Sequence, residues 1–179
     1  MGFVCAELWR WRQVVLPFLA QGLARGERCV YLATLHTPWL LPNLLAWQGM
    51  DLARAEARGQ FLISNAARHY LHRGGLDPQR VLDRNAVSVR LALREGFTGL
   101  RTVSDMSWAV HYLDEWDRLE QYEARLEGEY FSCLPATAIC FYDQGLFPRA
   151  LRQMVERTHP LMIDNLGLPR RTRHVAGLD

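Results

Sequence analysis

Short apolar runs that alternate with longer amphipathic stretches place the strongest constraint on the fold of this chain. The run from Arg28 to Ala33 is apolar after its first residue, as in a strand buried on both faces of a parallel sheet. The stretch from Leu8 to Arg25 instead places Trp11, Val15 and Phe18 on one helical face. Strands joined by helices form right-handed βαβ units. The sequence therefore predicts an α/β fold of three layers, α/β/α, with a mainly parallel central sheet.

The same alternation continues along most of the chain. Strands are predicted at Phe3 to Ala6, Arg28 to Ala33, Gln60 to Ser64, Thr98 to Ser104, Ala136 to Tyr142 and Leu161 to Ile163. Helices are predicted at Leu8 to Arg25, Thr37-Pro38 to Gly49, Leu52 to Arg58, Asp77 to Gly96, Trp116 to Leu126 and Phe147 to Arg157. The stretch from Asn65 to Gly75 is predicted to be a loop. We expect one domain over residues 1–165, followed by a flexible tail over residues 166–179.

Composition and charge exclude several classes of function. The formal net charge is only +2 and is spread along the sequence, so there is no basic stripe to bind nucleic acid. All 21 basic residues are arginine. A chain without lysine has no Schiff-base lysine and no phosphate-binding lysine of the GxxxxGK[ST] type.

The cysteines give no sign of a disulfide or zinc framework. Cys5, Cys29, Cys133 and Cys140 form no C-x-x-C pair, and three of them lie in apolar, strand-like runs. The sequence shows no signal peptide and no apolar run long enough to cross a membrane. We expect a cytoplasmic protein with reduced thiols, no membrane contact, no metal and no cofactor.

The best candidate site is the turn that follows the predicted strand at Thr98 to Ser104. Ligands of open α/β sheets bind at the carboxyl ends of strands. Asp105, Met106, Ser107 and Trp108 would then line a pocket, with the carboxylate accepting hydrogen bonds and the indole forming an apolar wall. The alternative is that Asp105 caps the following turn and Trp108 belongs to the core.

Other strand ends should meet at the same edge of a parallel sheet. They add further candidate ligand-binding residues: Glu7, Thr34, His36, Ser64, Asn65, Tyr142 and Asp143. Asp143 could equally begin the next helix, and His36 could be an ordinary loop residue. Catalysis finds little support, because there is no G-x-S-x-G elbow and a Ser107–His111 pair has no placed acid to orient it apart from Asp105 or Asp114. A hydrolase or transferase using Asp105 and Ser107 is a third, weaker alternative.

Six segments in one order carry a resemblance to a known family. They are Val15 to Tyr31, Tyr70-Leu71 with Gly74-Gly75 and Asp77-Pro78, Asp105 to Trp108, Tyr122 to Leu126, Cys140 to Asp143, and Thr158 to Leu161. Together they resemble the MEDS domain, the sensory domain named for methanogens, methylotrophs and the dichloromethane-responsive repressor. The resemblance covers roughly Phe3 to Ile163.

The resemblance implies a RecA-like or KaiC-like sheet without a working P-loop, acting as a non-catalytic sensory or regulatory domain. It also implies a small, largely apolar ligand of the hydrocarbon-derivative type. The signal would pass to a regulatory partner on a separate chain, of the kinase, anti-sigma or DNA-binding class, or through a homodimer. The alternative is a degenerate RecA-like domain that binds nucleotide weakly or serves as an interaction scaffold. The chain departs from the family in a shorter first loop after Cys5 and in carrying Asp105 in place of glutamate.

Overall fold

A parallel sheet forms the centre of the molecule. The computed structural model describes residues 1–34, 51–114 and 116–172. The strands are β1 (Gly2–Cys5), β2 (Arg28–Ala33), β3 (Phe61–Asn65), β4 (Leu71–His72), β5 (Gly75–Leu76), β6 (Leu100–Asp105), β7 (Ala136–Asp143), β8 (Leu161–Ile163) and β9 (Pro169–Arg171). Seven of them form one sheet in the order β3-β2-β6-β7-β1-β8-β9, in which only β9 is antiparallel to its neighbour.

Helices cover both faces of this sheet. They are α1 (Leu8–Ala24), α2 (Leu52–Ala57), α3 (Ala66–Tyr70), α4 (Pro78–Arg94), α5 (Trp108–Tyr112), α6 (Asp117–Leu126) and α7 (Arg149–Thr158), and a π-helical turn (Glu127–Phe131) continues α6. Side chains of α1 and α2 form one apolar core with the sheet, and those of α4, α6 and α7 form a larger core on the other face. The predicted α/β/α fold with a mainly parallel sheet is confirmed.

Local sequence signals explain where several elements begin and end. Asp77 is the N-cap of α4, its side chain accepting a hydrogen bond from the Arg80 backbone N–H, and Pro78 is the first helical residue. After α1, Gly26 adopts a φ of +74°, which favours glycine, and thereby ends the helix. The predicted helix from Thr37 to Gly49 and the candidate residue His36 lie outside the described residues.

Two predictions need correction. The stretch from Asn65 to Gly75 is not a loop: Asn65 caps the short helix α3, and a hairpin of β4 and β5 follows. The hairpin turn contains Arg73 and Gly74, both with positive φ. Residues of this kind occur in hairpin turns and in irregular loops alike, so the sequence does not distinguish the two. The predicted tail also starts too early, because Pro169–Arg171 pairs with β8 and extends the sheet. Residues 173–179 of that tail lie outside the described part of the chain.

A buried ion pair joins the beginning of β6 to the connection between α1 and β2. Arg101 is 3% exposed, and its guanidinium contacts both carboxylate oxygens of Glu27, at 2.5 and 3.2 Å. The same guanidinium lies over the ring of Phe18, 4.4 Å from the centroid. A Cβ atom at Gly22 would lie only 2.4 Å from Arg101 Cδ. Glycine at this position therefore allows α1 to pack closely against the Arg101 side chain.

We expect Arg101→Met to lower the free energy of unfolding by about 3–5 kcal/mol, since it leaves the Glu27 carboxylate without its partner in a poorly solvated place. Arg157→Met is the matched control, because Arg157 forms an exposed pair with Glu120 and should cost less than about 1 kcal/mol. Urea unfolding of both variants measures the difference. Equal losses would contradict a central role for the buried pair.

Candidate functional site

The carboxyl ends of β2 and β6 bring three predicted site residues together. Asp105 ends β6, Thr34 directly follows β2, and Ser107 lies in the next turn. The Thr34 hydroxyl donates a hydrogen bond to Oδ2 of Asp105, and the Ser107 backbone N–H donates to Oδ1 at 3.0 Å. Asp105 is only 4% exposed. Its carboxylate therefore holds the turn and links two neighbouring strand ends, as the alternative interpretation of Asp105 describes.

Met106 and Trp108 pack in the core. Both are essentially without solvent contact, and the Trp108 ring stacks on Tyr70 with centroids 4.7 Å apart and planes 12° apart. In the described part of the chain their large apolar surfaces are buried between the sheet and its helices, where burial is most favourable. The assignment of these two side chains to a pocket wall stays a prediction.

A chain of aromatic and polar contacts lies next to this turn, and the sequence analysis missed it. Tyr70 hydrogen-bonds through its hydroxyl to Ser104 Oγ at 2.8 Å and meets the ring of Tyr122 edge-on. Asn85 donates to the Tyr122 hydroxyl at 3.0 Å, and its Oδ1 lies 2.8 Å from Nε2 of His69. Burial lowers the pKa of His69 to about 4. These residues join β6, α3, α4 and α6 into one hydrogen-bonded core.

The other predicted site residues act in separate places. Glu7 and Ser64 are exposed, and Asn65 caps α3 by accepting from the Arg68 backbone N–H. Asp143 accepts from the Gly145 backbone N–H in a tight turn after β7. Tyr142 is buried and points into the core between β7 and α6. The strand-end residues therefore do not form one common crevice in the described part of the chain.

A cleft of about 810 Å³ opens at the carboxyl ends of β1, β7 and β8, beside α7. Its apolar lining comes from Val4, Met162, Ile163 and Leu166, and its polar lining from Gln144, Arg152, Glu156, Asp164, Asn165, Arg170, Arg171 and Thr172. The volume suits a small molecule. Most of these residues come from α7 and the β8–β9 hairpin, so strand-end reasoning from the sequence does not find them.

A second polar group lies inside the core under α6 and α7. Oε1 of Glu123 accepts a hydrogen bond from the Tyr142 hydroxyl at 2.8 Å, and Oε2 lies 3.3 Å from His159 Nε2 and 3.9 Å from Cys140 Sγ. Glu123, Cys140 and His159 are all nearly inaccessible to solvent. Among the described residues, this is the one group of three or more His, Cys, Asp and Glu side chains whose geometry suits a metal ion.

Burial disfavours the charged forms of this group. Desolvation raises the pKa of the Glu123 carboxyl to about 7, against the opposing effect of the Tyr142 hydrogen bond. Desolvation also lowers the pKa of His159 to about 3, and the nearby amino terminus acts in the same direction. The pKa of the Cys140 thiol is raised well above its usual value, first by burial and then by Glu123. Neutral imidazole, carboxylic acid and thiol are therefore the forms that this core favours.

The comparisons with known proteins agree on family and fold. The sequence model of the MEDS domain, the methanogen/methylotroph DcmR sensory domain, matches residues 6–160. No curated protein matches the chain significantly. An uncharacterised protein of Pyrococcus horikoshii, crystallised with an unknown peptide, superposes with a TM-score of 0.62 at 14% identity, covering 96% of this chain and 83% of the other. A KaiC-like protein of the same organism gives a TM-score of 0.56 at 14% identity, covering 96% and 79%.

The chain has an α/β fold similar to that of these two structures, with a very short first loop. Within that class, the chain belongs to the MEDS family of sensory domains, since the match spans most of its length. The resemblance stated from six segments is thereby confirmed. None of the helices among the described residues is both long and apolar enough to span a membrane.

The buried carboxyl gives a pH-dependent prediction. Because its pKa rises from about 4.5 unfolded to about 7 folded, Glu123 takes up a proton on folding within that interval. Raising the pH from 5 to 7 should lower the free energy of unfolding of the wild type, relative to Glu123→Gln, by on the order of 2 kcal/mol. Urea unfolding at both pH values, in buffer with a chelator, measures this change. A pH-independent difference would contradict the raised pKa.

Proposed function

We propose that this chain is a non-catalytic sensory domain that binds a small molecule in the cleft beside α7 and passes the signal to a protein partner. Membership of the MEDS family supports the sensory role. The observation that carries the ligand assignment is the cleft itself, about 810 Å³ at the carboxyl edge of a parallel sheet.

The lining of the cleft favours a ligand with an apolar body and an acidic group. Val4, Met162 and Ile163 supply apolar surface, and the three positive charges of Arg152, Arg170 and Arg171 outnumber the two negative charges of Glu156 and Asp164 in the same lining. Guanidinium groups bind carboxylates through paired, charge-assisted hydrogen bonds. An alkyl carboxylate meets both requirements and agrees with the hydrocarbon-derivative class that the family resemblance implies.

The first loop argues against the nucleotide-binding alternative. Only Ala6 and Glu7 separate β1 from α1, and the chain has no lysine. A phosphate-binding loop between a strand and a helix needs several residues whose backbone N–H groups surround the phosphates, together with a lysine. The KaiC-like neighbour supports the fold of this chain and does not bear on its ligand.

A contact between the cleft and α1 offers a route for the signal. Arg10 on α1 donates to the Asp164 carbonyl at 3.3 Å and to Asn165 Oδ1 at 3.1 Å, and both acceptor residues line the cleft. The first turn of α1 also carries Leu8 and Trp9, which are 50% and 57% exposed. A ligand that shifts Asp164 and Asn165 would therefore alter the position of an apolar surface available to a partner chain.

A thermal-shift experiment with octanoate, octanol and ATP–Mg²⁺ tests the ligand class. We expect octanoate to raise the unfolding midpoint, and a probe at 100 times its dissociation constant adds about 2.7 kcal/mol of stability. Arg152→Gln should weaken octanoate binding about tenfold, because it removes one charge-assisted hydrogen bond. Arg149→Gln, on the same helix but outside the cleft lining, is the matched control and should bind as the wild type does.

Two outcomes would overturn this proposal. A midpoint raised by ATP–Mg²⁺ alone would favour the nucleotide-binding alternative. An octanoate shift that Arg152→Gln and Arg149→Gln reduce equally would remove the ligand from the cleft. Native mass spectrometry of the same samples reports whether the chain associates with itself, and Trp9→Ala should reduce any such association without changing the octanoate shift.

A further inference from the structure

Three segments of the family resemblance are not used by the proposed ligand cleft, yet they meet inside the core. Tyr122 to Leu126 lies on α6, Cys140 to Asp143 on β7, and Thr158 to Leu161 at the junction of α7 and β8. Each segment contributes one side chain to the same point: the carboxylate of Glu123, the thiol of Cys140 and the imidazole of His159. The three residues are far apart in the sequence and come from three different elements.

The spacing of the donor atoms suits one small cation. Two ligands of a tetrahedral zinc ion, each at its usual bond length, lie about 3.3 to 3.8 Å apart. Oε2 of Glu123 lies 3.3 Å from His159 Nε2 and 3.9 Å from Cys140 Sγ. All three donor atoms lie within 4.8 Å of one another. Side-chain movement of up to about 1 Å would bring the three atoms onto a common centre.

The imidazole is already oriented as a ligand. Its Nδ1 lies 3.0 Å from the Val155 carbonyl oxygen, which can only accept, so the ring proton is on Nδ1. Nε2 then carries a lone pair, and it is fully buried with no hydrogen-bond partner among the described residues. It faces Glu123 Oε2 without the alignment of a hydrogen bond. A backbone carbonyl behind the ring is the arrangement that fixes metal-binding histidines.

The carboxylate is oriented in the same way. The Tyr142 hydroxyl donates to Oε1 of Glu123 at 2.8 Å, which leaves Oε2 directed at Cys140 and His159. Tyr142 in turn packs edge-on against Phe147 and His159. The side chains of Glu123 and His159 therefore each have a second partner that fixes their orientation. Both would need little reorientation when an ion binds.

We propose that Glu123, Cys140 and His159 form a binding site for a single Zn²⁺ ion, separate from the ligand cleft. Nitrogen, sulfur and carboxylate oxygen are the donors that zinc prefers. One thiolate and one carboxylate balance the charge of the dication, so the loaded site is neutral, as a dry core requires. On binding, the zinc displaces the protons of the thiol and the carboxylic acid to solvent. Three protein ligands leave a fourth coordination position for water or another small donor.

Titration of the chelator-treated full chain with Co²⁺ and Zn²⁺ tests the site. We expect one Co²⁺ per chain, with a thiolate-to-cobalt charge-transfer band and the visible bands of a tetrahedral site. Zn²⁺ should displace the cobalt and raise the unfolding midpoint. Cys140→Ser and His159→Gln should each weaken binding by at least about tenfold and, for Cys140→Ser, abolish the charge-transfer band.

Cys133→Ser is the matched control, because Cys133 is a free and exposed cysteine outside the group. This variant should bind cobalt as the wild type does. Far-ultraviolet circular dichroism of each variant shows whether it has folded. X-ray absorption of the wild-type zinc complex gives a result that needs no variant, with one sulfur and the remaining ligands nitrogen or oxygen.

Three results would each overturn the proposal. The first is no stoichiometric binding of either ion by the wild type, which would leave Glu123, Cys140 and His159 as polar side chains of the core only. The second is a zinc complex without sulfur, which would indicate surface binding. The third is loss of the charge-transfer band in Cys133→Ser. None of these results bears on octanoate binding in the cleft, so the two proposals fail separately.

Discussion

A parallel sheet covered on both faces leaves no water for the polar side chains that lie on it, and this constraint organises the molecule. Every such group needs a partner from another part of the protein. Arg101 has Glu27 and the ring of Phe18 at the start of β6, and Asp105 has Thr34 and the Ser107 N–H at its end. Glu27, Phe18 and Thr34 come from segments distant in the sequence, so these polar contacts join separate parts of the chain to β6.

The fold followed from the sequence because its signals are local. Apolar runs such as Arg28–Ala33 and the cap at Asp77 need only a few neighbouring residues to be recognised, and the structure has both where they were predicted. The hairpin after Asn65 was missed, since Arg73 adopts a positive φ without being a glycine. The site was harder. Asp105 and Thr34 were placed together correctly by strand-end reasoning, but the burial of Met106 and Trp108 depends on helices that pack over them.

The buried Glu123 shows where more could have been predicted. Leu119, Tyr122 and Leu126 mark the inward face of α6, and Glu123 shares that face because it lies four residues after Leu119. An acidic residue on an apolar helical face indicates a buried partner. Its partners, Cys140 and His159, belong to other elements and are invisible to periodicity. All three residues lie within the segments that carry the family resemblance.

The last strand limits what can be added to the sheet. β9 consists of the exposed residues Pro169, Arg170 and Arg171, and it forms one end of the strand order within the described part of the chain. Proline lacks a backbone N–H, and the arginines would be brought close to those of any identical strand approaching them. The edge is therefore protected against strand-to-strand association between copies. Growth into fibrils from this side is disfavoured, even though the neighbouring hairpin turn exposes the apolar side chains of Leu166 and Leu168.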